Sequence, residues 1–434
     1  MLVRKRWTRP ALVITLAAAT LVGAGVALGP LRKPPAETAA PVSPTRDLDA
    51  YVTRTSVHLA DVPGDWQAWA QLGLAHVQLA RITYDPGHYP AAEKALRRSL
   101  TVRPQRNAAA LTGLGALAAA RHNFREAAGF AERAVAADHY SADAYGVLTD
   151  AYVELGRYPE ATRAVQRMLD LRPDTGSFGR ASYLFELRGN LPKANELMRR
   201  ALDVAVDPAD ITFALTHLAE LAFNAGDLGT ATGYLTEGLS RRPGEPALLA
   251  DRAKVSAARG DLDAALTDLR AATATLPTVD HLVTLADTLE AAGRSRTATD
   301  DLVRVSTRLP GAGPSTTDID LVLFHADRGE GAAAVAQGRA LLAARPSVTV
   351  ETAYAWALHS AGRDREARKH ADRGLRLGTR DARAHYYRAM IRLELGDRAG
   401  ARTDLTQALR INPHFSLRYA PKARAQLADL DGPA

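Results

Sequence analysis

Residues 145–173 read YGVLTDAYVELGRYPEATRAVQRMLDLRP, and this stretch contains the pattern that decides the fold. Gly156 is followed after four residues by Ala161 and after eleven more by Pro173. The same spacing of Gly, Ala and Pro occurs six times in the chain, and adjacent sets lie 33 to 36 residues apart. A period of this length indicates a repeat architecture in which each unit packs on its neighbours.

The repeated pattern covers most of the chain. The complete sets are Gly156/Ala161/Pro173, Gly226/Ala231/Pro243, Gly260/Ala265/Pro277, Gly293/Ala298/Pro310, Gly329/Ala334/Pro346 and Gly396/Ala401/Pro413. Positions that keep part of the pattern add four units, at Gly189/Ala194, Gly362/Ala367, Ala127 and Ala92. The sequence therefore predicts about ten units.

The residue types explain why each unit is a pair of helices. Ala in the middle of the second helix lets the two helix axes approach closely. Gly suits the left-handed conformation that ends a first helix, and Pro suits a helix boundary, where it costs no hydrogen bond. Helices of about 12 to 14 residues are marginal alone in water, so stability must come from packing one hairpin on the next.

The pattern resembles the tetratricopeptide repeat over about residues 66–413. The third unit carries the resemblance best, at Tyr145, Leu148, Ala151, Tyr152, Gly156, Tyr158, Ala161, Leu169 and Pro173. Two units depart from it, since Val322 replaces a small residue and the fourth unit lacks the closing Pro. The resemblance implies an all-α, right-handed α-solenoid of about ten helix-turn-helix repeats. The apolar N-terminal run and the excess of Arg over Lys indicate a membrane-anchored or secreted bacterial protein of this kind.

The ends of the chain give the remaining segments. Residues 1–29 contain an uncharged apolar run of 19 residues, 30–46 form a Pro-rich tether, and 47–63 form an N-terminal half-repeat helix. The solenoid spans 64–413, and 414–434 form a C-terminal capping helix and tail.

The apolar run directs the chain to a membrane. It is near the length that crosses a bilayer, and four basic residues before it against two after it favour a cytoplasmic N-terminus. We therefore expect a single-pass N-terminal transmembrane helix with the repeats outside the cytoplasm. A cleaved signal peptide, which would give a secreted protein, is the alternative.

Composition and motifs exclude several functions. The formal charge is +7, but the N-terminal segment supplies +6 before the first acid, Glu37, so no basic domain remains to bind nucleic acid. The chain has no Cys, and it lacks the P-loop, H-E-x-x-H and G-x-S-x-G motifs. We expect no enzyme activity, no cofactor and no metal. Gly113 and Gly115 fall within a predicted helix, where packing explains them better than a dinucleotide loop.

The resemblance also implies a binding surface, because in this family the first helix of each unit lines a concave groove. At the groove positions of units three to eight the sequence has nine acids and one base, Lys254. The acids are Asp143, Asp150, Glu154, Glu186, Glu220, Asp280, Asp287, Glu290 and Asp327. The neighbouring aromatic residues are Tyr183, Phe213, Phe223, Trp356 and Tyr386.

These residues predict a protein-binding scaffold whose partner presents a basic and apolar segment. The alternative is that acids such as Asp143 and Asp280 only favour helix N-termini and that the others are solvated charges. Two further functions stay open. One is a non-catalytic accessory subunit of an envelope enzyme or transport system, and the other is a regulator that faces the cytoplasm.

Overall fold

The computed structural model describes residues 44–83, 85–306 and 319–431. Within these ranges the chain forms 22 α-helices and one short 3-10 turn at Pro86–His88, and no strand. The predicted membrane segment and most of the tether lie outside the described residues. None of the described helices has the length and hydropathy needed to cross a bilayer.

The helices are numbered α1 to α22 in chain order. They are α1 (Pro44–Asp61), α2 (Trp66–Thr83), α3 (Tyr89–Val102), α4 (Ala108–Ala120), α5 (Phe124–Ala137), α6 (Ala142–Glu154), α7 (Tyr158–Leu171), α8 (Thr175–Glu186), α9 (Leu191–Val204), α10 (Pro208–Asn224), α11 (Leu228–Arg241), α12 (Pro246–Ala258), α13 (Leu262–Thr275), α14 (Val279–Ala291), α15 (Thr297–Ser306), α16 (Ile319–Asp327), α17 (Gly331–Ala344), α18 (Val348–Ser360), α19 (Asp364–Gly374), α20 (Ala382–Glu394), α21 (Arg398–Ile411) and α22 (Tyr419–Asp431).

The helices from α2 to α21 pair into ten hairpins, each packed on the next, as the Gly, Ala and Pro spacing predicts. Helix α1 packs on the first hairpin and α22 packs on the last. The seam between paired helices is built as the repeat predicts, because Ala231 and Ala265 are completely buried. Gly113 is also a packing residue, since a Cβ there would lie 2.3 Å from Leu96 Cδ2.

The fourth and eighth units keep their hairpins despite their departures from the pattern. The fourth unit consists of α8 and α9, and a capping box at Asp174 and Ser177 begins α8. In the eighth unit Val322 is completely buried, and it faces Gly338 on α17, where an added Cβ would lie 3.4 Å from Val322 Cγ1. A glycine in the second helix thus supplies the space that the missing small residue would have given.

The seventh unit departs from the prediction for Ala298. Helices α13 and α17 begin two residues after Gly260 and Gly329, whereas α15 begins at Thr297, four residues after Gly293. This late start places Ala298 in the first turn, where it is exposed, whereas Val303 further along α15 is completely buried. The spacing of letters repeats in this unit, but the helix register does not.

The ten hairpins wind into a superhelix whose successive turns touch. The Tyr158 hydroxyl accepts a 2.8 Å hydrogen bond from the Val348 backbone N–H, 190 residues later in the chain. Asn412 Nδ2 donates to the Phe223 carbonyl at 2.7 Å, across 189 residues. The first bond satisfies the Val348 N–H at the start of α18, where a helix has no internal partner for it. The second adds to the bond that the Phe223 carbonyl already accepts from the Gly226 N–H at the end of α10.

The offset between touching residues defines one superhelical turn. About 190 residues correspond to between five and six units at the period of 33 to 36 residues. At the contact a Cβ on Gly189 would lie 2.3 Å from the Gly378 carbonyl oxygen, so the two backbones meet with no room for a side chain. The turns therefore close on each other and enclose the concave face of the later units.

Candidate partner-binding cavity

A cavity of about 530 Å³ lies inside the superhelix. Its walls come from the first helices of units four to ten and from the segments that precede α20 and α22. Six of the residues predicted to form the acidic and aromatic groove line it: Tyr183, Glu186, Glu220, Phe223, Asp280 and Asp287. The superhelix thus brings together predicted residues from three different helices, α8, α10 and α14.

The lining carries more carboxyl groups than basic groups. Seven acids and three bases contribute to the walls. They are Glu186, Glu220, Asp251, Asp280, Asp287, Asp320 and Asp381 against Lys254, Arg380 and Arg383. The excess of acids agrees with the predicted sign of the groove, although three of these acids and both arginines were not among the predicted groove residues.

Burial changes the ionisation of two of these acids. It raises the pKa of Glu186 to about 7, and the charge of Glu220 adds to the effect. It also raises the pKa of Asp251 to about 7, even though Lys254 Nζ donates a 3.1 Å hydrogen bond to Asp251. Both carboxyl groups therefore exchange protons near neutral pH, and the cavity becomes more negative as the pH rises through 7.

The other charges in this part of the cavity are partnered. Lys254 lies 3.7 Å from Asp280 and 3.1 Å from Asp251, and Asp280 is the main cause of the raised pKa of Lys254. Burial would raise the pKa of Glu220, but His217, 2.6 Å away, more than offsets it and the pKa is lowered. Lys254 thus stays protonated beside Asp280 and Asp251.

Three predicted acids at the third unit are neutralised by arginines instead of facing the cavity. Asp150 is buried and receives two hydrogen bonds of 2.8 Å from the buried Arg180. Glu154 lies 3.4 Å from the buried Arg345 of the next superhelical turn. Asp143, in the first turn of α6, pairs with Arg172. The predicted count of nine acids against one base overlooked these arginines, which lie on neighbouring elements.

Two acids of the seventh unit are also paired. Arg418, which immediately precedes α22, lies 3.1 Å from Asp287 and donates a hydrogen bond to Glu290. Arg328 lies 3.1 Å from Asp287 as well. Asp287 is therefore a partly buried, paired charge, whereas Glu290 is paired but stays exposed, as the alternative interpretation expects.

The predicted aromatic residues fall into two groups. Tyr183 and Phe223 line the cavity, whereas Phe213 packs in the core beside Gly179, where an added Cβ would lie 2.9 Å from the Phe213 ring. Trp356 and Tyr386 belong to a buried aromatic cluster, with 8% and 3% of their surface exposed. The expectation that they form an exposed contact surface is thus corrected.

The aromatic cluster is held by stacking and by one carboxylate. Trp356 stacks on Tyr387 with ring centroids 4.2 Å apart, and its Nε1 donates to Asp327 at 2.7 Å. Tyr386 stacks on Tyr419 with centroids 4.9 Å apart. Asp327, predicted as a groove acid, therefore accepts hydrogen bonds inside the cluster, and burial raises its pKa.

Some lining residues had no signal in the repeat pattern. Arg380, Asp381 and Arg383 lie at the start of the tenth unit, and residues 412–417 follow its second helix. They reach the cavity because the second superhelical turn lies against the first, and a local pattern of 33 to 36 residues does not encode that contact. Within the described ranges, no group of three or more His, Asp or Glu side chains is arranged to hold a metal ion.

Comparisons with known proteins agree with the repeat. Family models described as tetratricopeptide repeat match residues 148–210 and 382–415. A search of curated proteins gave no match.

Three solved structures illustrate the similarity in fold. A thermophilic tetratricopeptide repeat protein of Thermus thermophilus is 24% identical, with 44% of this chain and 97% of that chain covered and a TM-score of 0.38. PilW, a type IV pilus biogenesis factor, is 16% identical, with coverages of 49% and 98% and a TM-score of 0.40. Yeast Tom70 is 12% identical, with coverages of 89% and 92% and a TM-score of 0.35. TM-scores this low carry no inference about function.

The two family matches, which fall on hairpins with the predicted Gly and Ala positions, identify the chain as a tetratricopeptide repeat protein.

Proposed function

We propose that this protein is a non-catalytic scaffold that binds a basic and apolar segment of a partner protein in the cavity described above. One observation carries the proposal. Acidic residues from successive first helices converge on one cavity, beside the aromatic side chains of Tyr183 and Phe223. Lysine or arginine side chains would pair with the carboxylates, and apolar side chains would pack on the rings.

Peptide selection on the purified chain tests this proposal. A random peptide library panned at low salt should yield sequences that combine Lys or Arg with Leu, Phe or Tyr. At about pH 8 the double variant Glu186→Gln, Asp251→Asn should bind the selected peptides less tightly, because each change removes a carboxyl group that is negative above pH 7 and keeps the shape of the side chain. Affinity of the wild type should also fall as salt is added.

The matched control is Glu196→Gln on α9. Glu196 is an exposed acid that pairs with Lys193 and Arg200 outside the cavity lining, so its loss should leave peptide affinity unchanged. Selection of peptides without basic residues, or equal affinity of the wild type and the double variant, would reject the cavity as an electrostatic binding site.

We further propose that residues 1–29 tether the repeats outside the cytoplasm. The support is the uncharged apolar run of 19 residues and the excess of basic residues before it. Protease added to intact cells should then degrade the repeats. Protection of the repeats in intact cells and degradation only after lysis would reject this topology, and release of a shortened chain into the medium would favour a cleaved signal.

A second candidate function is that of an accessory subunit that presents a substrate to an envelope enzyme or transporter. The observation in its favour is that the carboxyl groups of Glu186 and Asp251 have pKa values of about 7. In that case the purified chain should bind the substrate of its partner enzyme in the same cavity. The two functions differ in whether a small molecule or a peptide competes for the site.

A further inference from the structure

The segment between α21 and α22, residues 412–418, crosses to helices far away in the chain. Asn412 donates to the Phe223 carbonyl of the fifth unit, and Leu417 packs on the core cluster of the fifth to seventh units. A capping helix in a repeat array needs to contact only the last unit. This segment does more, because it also touches units whose residues lie about 190 positions earlier in the chain.

The charged contacts of the segment are directed at the predicted groove acids. Arg418 pairs with Asp287 at 3.1 Å and with Glu290, and these residues lie 131 and 128 positions earlier. The hydroxyl of Tyr419 donates to Asp327, a residue of the eighth unit. Three acids that the family geometry assigns to the concave face are thus engaged by two consecutive residues of the same chain.

The chemistry of the segment matches the ligand that the cavity favours. It presents Phe415, Leu417 and Tyr419 as apolar or aromatic groups and Arg418 as the base. Residues 412 and 414–417 form part of the cavity wall. The acidic surface therefore already holds an aromatic and basic segment, which is supplied by the chain itself.

The segment is anchored by Phe415 and Tyr419, which are buried against Tyr386, but the helix that follows it is weakly attached. The segment has no regular helix between residues 411 and 419, and only three of the thirteen residues of α22 are buried: Tyr419, Ala420 and Ala423. A short element with a small buried face is the kind that opens locally before the rest of the molecule unfolds. Its displacement would take Arg418 away from Asp287 and Glu290 and remove one wall of the cavity.

We propose that residues 412–419 are an internal ligand, which occupies the acidic surface formed by Asp287, Glu290 and Asp327 and is displaced by a partner segment of the same aromatic and basic chemistry. This inference rests on the proposed function, because it assigns the free partner to acids of the same concave face, of which Asp287 lines the cavity. The inference adds that, in the isolated protein, the internal segment competes with that partner for the same acids. The apparent affinity of the partner is then reduced by the fraction of molecules in which the segment is bound.

A fluorescent peptide with the sequence of residues 411–422, INPHFSLRYAPK, tests the inference when it is titrated into the full chain. Arg418→Glu replaces the two attractive contacts with repulsion and should release the segment. If the segment is bound in about nine of ten wild-type molecules, this variant should bind the peptide about tenfold more tightly than the wild type. Arg410→Glu, an equal charge change on the exposed face of α21, should bind it like the wild type.

Two further measurements cover the case in which Arg418→Glu loses helicity. Arg418→Ala removes the same ion pairs without adding a like charge. It should also bind the peptide more tightly than the wild type does. Hydrogen exchange of residues 412–420 in the wild type should become faster at saturating peptide. Equal affinity of all variants, absence of peptide binding, or unchanged exchange at saturation would each overturn the internal ligand.

Failure of this inference is distinguishable from failure of the proposed function. If the library selection still yields basic and apolar peptides that the Glu186→Gln, Asp251→Asn variant binds weakly, the cavity binds partners and only the internal ligand is wrong. If the selection also fails, the proposed function is wrong.

Discussion

At the scale of single residues, Gly189 and Gly362 isolate the contribution of the contact between superhelical turns. Both end the first helix of a unit, and their φ angles are 70° and 71°. A Cβ on Gly189 would lie 2.3 Å from the Gly378 carbonyl oxygen, whereas a Cβ on Gly362 would have no heavy atom within 4 Å. The backbone strain of a substitution is therefore the same at both positions, and only one position adds a clash.

Gly362→Ala should destabilise the protein by about 1–2 kcal/mol, the cost of a left-handed alanine. Gly189→Ala should cost about 1–3 kcal/mol more, because the two turns must separate to admit the methyl group. Chemical denaturation followed by circular dichroism measures both. Equal losses for the two variants would show that the turns are not in contact at this position.

The ionisation of Glu186 predicts a dependence of stability on pH. Its pKa is raised to about 7 in the folded protein, mainly by burial, and an unfolded Glu has a lower pKa. The folded state then binds more protons than the unfolded state at intermediate pH. The contribution of this group to stability is fully present below the unfolded pKa and is lost as the pH rises through about 7.

Glu186→Gln should remove this dependence, because the amide does not titrate. The melting temperature of the wild type, relative to that of the variant, should fall between about pH 5 and about pH 8. Glu196→Gln is the control, since Lys193 lowers the pKa of Glu196. The melting temperature of the wild type, relative to that of Glu196→Gln, should not fall over this pH range. Parallel melting curves for wild type and Glu186→Gln would contradict the raised pKa.

At the scale of the helices, the seam within each hairpin depends on small side chains. Ala265 in α13 is completely buried, and Ala271 in the same helix is exposed. Both positions lie well inside the helix, so helix propensity changes little when Ala is replaced by Leu. The two positions therefore separate packing from helix formation.

Ala265→Leu should destabilise the protein by about 1–3 kcal/mol, because the larger side chain forces the paired helices apart. Ala271→Leu should change stability by no more than about 0.5 kcal/mol. Thermal unfolding followed by circular dichroism provides the comparison. A similar effect at both sites would mean that Ala265 is not in the seam.

At the scale of the whole molecule, the superhelix is held closed by bonds between its turns. The Tyr158 hydroxyl accepts from the buried Val348 N–H, and α18 has no side-chain hydrogen bond at its N-cap. Tyr158→Phe leaves that buried N–H without this partner, which costs about 1–3 kcal/mol. Hydrogen exchange near residues 154–158 and 345–350 should become faster as the turns separate.

Tyr152→Phe is the control for this prediction. The Tyr152 hydroxyl donates at 2.8 Å to Glu132 in the neighbouring unit, so its removal does not affect the contact between turns. Exchange at residues 345–350 should match that of the wild type in this variant. Unchanged exchange in Tyr158→Phe as well would show that the superhelix does not depend on this bond.

The sequence was sufficient to predict the helical hairpins, but it did not predict the contacts between superhelical turns. The Gly and Ala positions of the repeat predicted ten hairpins because each position serves a contact within one unit or between adjacent units. The predicted burial of Ala298 in the helix seam was wrong, because α15 begins late and its register shifts although the Gly, Ala and Pro spacing is kept. Arg345 and Arg418 were missed as partners of Glu154 and Asp287 because these pairs lie 191 and 131 residues apart.

The separation of 189 to 191 residues between groups in contact across the turns also limits how many repeat units the chain can gain or lose. In an open array, loss or duplication of a whole module leaves every remaining neighbour pair intact. Here one module gained or lost between Phe223 and Val348 would put Tyr158 out of phase with Val348 and Phe223 out of phase with Asn412. Module number in this stretch is therefore as constrained as the identity of the residues that meet there.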